Sequence, residues 1–510
     1  VRIRRYGALA AALLVCVPAV GRAAAPAAAP SPAPSAAPAE GAPSETHHTL
    51  ALGGSTIAYT ARAGTTALRD AAGDEIAQVF SVAYTADGAD PRTRPVTFFW
   101  NGGPGSSSMW LHMASYAPVR VAIPSNATPP APGTPFGPNP DSLIDTTDLV
   151  FVDAVGTGYS RISGKGKASD FFGVDEDAKA FEQFIRRWVT TNGRWASPKF
   201  LFGESYGTTR AADVVNRLQD DGMAIDGVVL LSSALDFNAL DNNQGPGEDE
   251  GYISFLPTEA AVAWYHHALP AAPADLPQFL DGVRAFAIGP YADALMRGDG
   301  LDPATRAQIV ATLHADTGLD PAYIERAHLR LDPSRFEHEL LHDQGLTTGR
   351  LDGRYQGLEL DRTADSPSYD PTSDDGLVDA VIGAFNTYLR DDLGYRIERP
   401  YLGTNYPLVG AHWNYRRENT LVATNVADDL RQALVKNPYL HVFSANGWFD
   451  LATPFFGTQY TLDHLGLDAA AHARISYGFY PSGHMVYLND EARRAFKADL
   501  VRFYRESMAR

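Results

Sequence analysis

The chain has 510 residues, 45% of them hydrophobic, with 45 Gly, 35 Pro and a net charge of −18. That length supports a large buried core, and the acidic balance argues against nucleic acid and anionic membrane surfaces as partners. Cys16 is the single cysteine, so no disulfide within the chain can stabilise it and burial has to.

The N-terminus carries Arg2, Arg4 and Arg5, an apolar run from Tyr6 to Val20, and small residues at Ala23 to Ala25. This order matches a secretory signal peptide over residues 1–25, and the run is short for a membrane span. The expectation is an exported protein of a bacterial envelope, periplasmic or extracellular, with no stable membrane insertion after cleavage. Cleavage would remove four arginines and leave a charge near −22. Residues 26–48 read as an Ala/Pro-rich linker, an extended tether without a core.

From about residue 55 strands alternate with helices, and no internal repeat stands out. TIAYTAR and EIAQVFSVAYTA suggest an opening antiparallel hairpin. VTFFW (96–100), DLVFVDA (148–154), KFLFGES (199–205), GVVLLSS (227–233), YLHVFSA (439–445) and ISYGFY (475–480) are apolar enough for strands buried on both faces. VDEDAKAFEQFIRRWVTTNG (174–193) has acids in its first turn, helical spacing of apolar residues and a terminal glycine. The alternation implies an α/β fold with a mostly parallel sheet flanked by helices. The rhythm breaks over 241–400, read as an inserted, mainly helical cap between core segments 49–240 and 401–510.

Within KFLFGESYGTTR, Ser205 is the centre of G-x-S-x-G, with a strand before it and a helical pattern after it. Such a turn exposes the serine hydroxyl at the sheet edge in a strained conformation. A hydroxyl nucleophile needs a base, and the base needs an orienting acid. Asp450 follows one predicted strand and His484 follows the next, so Ser205, Asp450 and His484 form the candidate triad. In VTFFWNGGPGSSS the glycines follow a strand directly, and the N–H groups of Gly103 and Tyr206 are the candidate oxyanion donors. No metal or cofactor is called for.

One stretch points elsewhere. FEHELLHDQG contains H-E-x-x-H, in which His338 and His342 could hold zinc and Glu339 could activate its water. A third histidine at the expected spacing would fall on Thr348, and Glu359 lies closer than the usual downstream glutamate. Asp332-Pro333 makes a helix start and Gly345 a stop. The pattern predicts an amphipathic helix with Phe336 and Leu340 on the packed face and His338 and His342 on a polar one.

WNGGPGSSS, GYSR after VDAVGTG, GESYG, the late aspartate and GHMV together resemble the serine carboxypeptidase family, peptidase family S10, over roughly residues 95–490. The resemblance implies an α/β-hydrolase fold with a cap and removal of C-terminal amino acids from peptides with a free C-terminus. It implies the same triad and oxyanion donors, and it gives Asn101 and Glu204 the role of binding the substrate's terminal carboxylate. A carboxyl group can do that only by sharing a proton, so peptide hydrolysis should favour acidic pH. The chain departs from the family pattern in three places. Phe99 stands where a Trp is expected, Ser106 replaces a cysteine, and Ser115 replaces a further glutamate of the carboxylate network. An esterase or acyltransferase on the same fold is the alternative reading, and a zinc peptidase the remote one.

Overall fold

The computed structural model describes residues 41–240, 245–271, 273–417 and 423–509. The segment expected to be a signal peptide and most of the Ala/Pro tract lie outside these residues. The tract ends earlier than expected, because the first strand already starts at Ser44.

Ten strands form one sheet. Three long antiparallel strands, β1 (Ser44–Leu52), β2 (Ser55–Arg69) and β3 (Glu75–Ala86), make one edge. β3 passes antiparallel to β5 (Asp148–Val152) and also pairs with the short strand Arg161–Ile162. From β5 the sheet continues in parallel through β4 (Val96–Trp100), β6 (Lys199–Ser205), β7 (Gly227–Ser233), β8 (His441–Gly447) and β9 (Ile475–Tyr480). β4 to β7 are buried at every position but Ser205, and their centres are apolar because both sheet faces are covered. One core cluster holds Phe99, Phe202, Val229 and Phe443, and the other holds Phe98, Leu201, Val228 and Val442, the preceding residues of the same strands.

Helix α1 (Val174–Thr191) has Asp175, Glu176 and Asp177 in its first turn, where the helix dipole favours them. Its buried face presents Phe181, Phe184, Ile185 and Trp188. Helix α2 (Tyr206–Asp220) leaves directly from β6. Between the neighbouring strands β7 and β8 the described chain is mainly helical, beginning with α3 (Glu250–Tyr265), and includes one small hairpin, Leu346–Thr348 with Gln356–Leu358. A third core cluster joins these helices to Phe449, Leu451 and Phe455 beyond β8. Parallel strands with helices between them make this an α/β-hydrolase fold, and every candidate catalytic side chain lies at or beyond the C-terminal end of a parallel strand. Among the described residues no helix is long and apolar enough to cross a membrane.

The H-E-x-x-H segment differs from its sequence reading. Asp332 caps the helix through Arg335 N–H and Pro333 opens it, but the helix ends at Glu339, and a separate turn carries His342 to Gly345 in the left-handed conformation. His338 is buried, not on a polar face, with its Nε2 3.7 Å from Glu359 Oε2. The cause is the returning chain: after the helix it folds back so that Thr347 hydrogen-bonds the Glu337 carbonyl and Glu359 lies beside His338, which covers this side. Among the described residues no three or more His, Cys, Asp or Glu are grouped so as to hold a metal ion.

Candidate active site

Ser205 joins β6 to α2 with φ 60° and ψ −132°, a left-handed backbone that a non-glycine residue adopts at a cost of about 1–3 kcal/mol. The turn closes only because its neighbours lack side chains. A Cβ on Gly203 would lie 2.1 Å from the Gly207 carbonyl oxygen, and one on Gly207 would lie 2.9 Å from the Trp100 ring. The loop after β4 meets this elbow equally closely, since a Cβ on Gly102 would fall 2.4 Å from the Tyr206 nitrogen. Gly103, next in line and exposed, faces the same pocket as Tyr206 at the start of α2. Buried Arg210 fixes the arrangement by reaching Asp177 of α1 at 2.6 Å and the Asn101 carbonyl at 2.8 Å.

On the opposite flank Asp450 is fully buried in the loop after β8. Its Oδ1 accepts the Ala452 and Thr453 N–H groups at 2.9 Å, and its Oδ2 accepts the Thr453 hydroxyl at 2.7 Å. His484 Nδ1 lies 2.9 Å from Asp450 Oδ2 and 3.1 Å from Thr453 Oγ1. Burial alone would lower the His484 pKa, but the bonded Asp450 carboxylate and nearby Glu204 outweigh it and raise it. His484 and Ser205 line one cavity of about 700 Å³; the Ser205 hydroxyl makes no hydrogen bond among the described residues. Triad bonds of this kind commonly close only when substrate arrives.

Glu204 precedes the serine and is 3% exposed. Burial pushes its carboxyl up to about 7, against the opposing pull of His484 and of hydrogen bonds from Tyr487 and Asn101. The Tyr487 hydroxyl donates to Glu204 Oε2 at 2.8 Å. Asn101 Oδ1 accepts the Leu111 N–H at 3.0 Å. Ser115, where a further glutamate was expected, spends its hydroxyl on the Leu111 carbonyl. Phe99 stacks between Phe151 and Phe202 inside the sheet, and Trp100 is buried behind the elbow with its Nε1 on the Gly207 carbonyl at 2.7 Å. The indole lining the pocket is that of Trp110.

Sequence reasoning missed Thr453, Tyr487 and a clamp contributed by residues 351–354. Thr453 follows Asp450 by three residues, a local signal of a side chain bonding its own turn. The clamp has no such signal. The Leu351 carbonyl accepts the His484 N–H at 2.6 Å, Asp352 Oδ2 accepts the Gly483 N–H at 3.1 Å, and Arg354 reaches the Pro481 carbonyl and Ser482 hydroxyl, both at 3.1 Å. Asp352 and Arg354 also pair with each other, with Arg354 Nε 2.9 Å from Asp352 Oδ1.

The family model for serine carboxypeptidases matches residues 70–236. Serine carboxypeptidase-like 16 of Arabidopsis thaliana is 25% identical over 166 residues, 30% of this chain and 36% of that protein, so the match spans about a third of the relative's length. Among solved structures, Kex1(delta)p, a prohormone-processing carboxypeptidase from Saccharomyces cerevisiae, superposes with a TM-score of 0.53 at 16% identity, covering 88% of this chain and 91% of that one. At that identity the structural likeness speaks for the fold. The family match takes in the glycine loop, the elbow and both strands that present them, so over this third of the chain the sequence is similar to the serine carboxypeptidases.

Proposed function

We propose that the protein is a serine-type carboxypeptidase that releases the C-terminal residue of peptides through an acyl-enzyme on Ser205. The observation that carries this reading is Glu204: a buried carboxyl beside the nucleophile, half-protonated only near pH 7, facing the cavity that holds the elbow and His484. In this mechanism Ser205 Oγ attacks the scissile carbonyl carbon while His484 Nε2 takes the hydroxyl proton. Asp450 holds the imidazole through Nδ1 and stabilises the imidazolium. The Gly103 and Tyr206 N–H groups receive the developing oxyanion. The imidazolium then protonates the leaving amine, the peptide C–N bond breaks, and water repeats the sequence on the acyl-enzyme to free Ser205.

Neutral Glu204 and Asn101 hydrogen-bond the substrate's terminal carboxylate. The pH dependence follows from the sign of the Glu204 shift. Its pKa is raised, so the group is neutral below about 7 and charges as the pH climbs through that value. KM for free-acid peptides should therefore rise above about pH 7, while KM for ester substrates stays level. Blocked dipeptides offered as free acids and as C-terminal amides test the reading directly. Cleavage of free acids in preference to amides supports it, and equal cleavage of both assigns the site to a broader esterase or acyltransferase. Inactivation by a serine-directed phosphonate, with activity retained under chelator, is expected; the reverse would return the function to His338, Glu339 and His342.

A further inference from the structure

Arg350 stands at the rim of the cavity, and among the described residues that line it no other is a lysine or arginine. In this acidic chain most buried guanidinium groups meet carboxylates, as Arg194 meets Asp148 and Arg210 meets Asp177. Arg350 is exposed, and its guanidinium makes no hydrogen bond or ion pair among the described residues. The acid bonded to its backbone is already committed. Asp370 Oδ1 takes the backbone N–H groups of Arg350 and Thr372, and Oδ2 takes that of Leu351. Asp374, on the same rim, is occupied by the Asp370 N–H and the Ser373 hydroxyl. The backbone that carries Arg350 is therefore pinned on one side by Asp370 and on the other by the bond from His484 N–H to the Leu351 carbonyl. Its charge is close enough to bear on His484, Tyr406 and the buried Glu337. A fixed backbone, a free planar donor fork and an open pocket make a receptor for a carboxylate.

We propose that Arg350 is a specificity-determining residue that binds a carboxylate of the substrate in the cavity beside Ser205. This rests on the carboxypeptidase reading for its choice of peptides, though the charge selection itself applies to any acyl substrate. The carboxylate is either the peptide's free C-terminus or an acidic side chain next to the scissile bond.

Four substrate pairs separate these sources, each read as the ratio of kcat/KM for the carboxylate over its neutral counterpart: benzyloxycarbonyl-Phe-Leu against its amide, -Phe-Glu against -Phe-Gln, -Glu-Phe against -Gln-Phe, and p-nitrophenyl hydrogen glutarate against p-nitrophenyl butyrate. In Arg350→Gln the ratio should fall about tenfold or more in at least one pair, and that pair identifies the source. Arg350→Lys should retain part of the ratio, and Arg350→Glu should turn discrimination towards a lysine at the same position. Ratios unchanged in every cleaved pair would overturn the proposal. If wild type cleaves the esters but no peptide, the carboxypeptidase reading falls, and the ester pair alone decides whether Arg350 selects charge.

Discussion

The two flanks of the pocket are held by different means. On the Ser205 side the geometry comes from missing atoms: Gly102, Gly203 and Gly207 let three backbone segments approach to distances that a Cβ would block. On the His484 side it comes from charged atoms reaching across the fold, where Asp352 and Arg354 grip the Pro481–Gly483 backbone from about 130 residues away in the chain. Steric exclusion works over neighbouring residues and leaves a contiguous motif. A polar bridge works over any sequence distance and leaves none.

Breaking the steric flank should cost most. Gly102→Ala would push its Cβ into the Tyr206 amide and spread the two oxyanion donors, lowering kcat by about 10²–10³-fold with a smaller change in KM; a steady-state assay on an ester substrate checks it. The polar flank should fail by loss of stability. Asp352→Ala leaves the buried Arg354 guanidinium unpaired and should cost roughly 3–5 kcal/mol, measured by denaturant unfolding, with activity falling as the His484 loop loosens. Tyr487→Phe acts between the flanks. It removes a bond that holds the Glu204 pKa down, so burial raises it further, and the pH at which KM for free-acid peptides rises should move upward. The smallest effect on turnover is expected for His338→Ala, within about twofold in kcat/KM, because the side chain is buried in the helical region away from the cavity lining. A large loss there would show that this region controls the site.

The same contrast explains what was legible in the sequence. VTFFW, KFLFGES, GVVLLSS and ISYGFY are strands at the residues expected; the first three could be read because a strand covered on both faces has an apolar centre. SETHHTLAL went unread as β1: it pairs only with β2 at the sheet edge and alternates polar residues towards water. The elbow and glycine loop could be read because their function needs a string of small residues. Tyr487, Arg350 and the Asp352–Arg354 pair could not, since each acts on a partner more than a hundred residues away or on the substrate itself. His338 was read as facing water because helix periodicity cannot show that the returning chain at Thr347 and Glu359 covers that face.

The clamp also constrains protein engineering. Residues 349–354 carry the charge at the pocket rim and, one and two residues further on, the carbonyl and carboxylate that seat the base. A loop exchange intended to alter substrate preference would replace both functions at once. Specificity at this rim can be retuned by single side-chain changes, but grafting the segment as a unit would detune the imidazole as well.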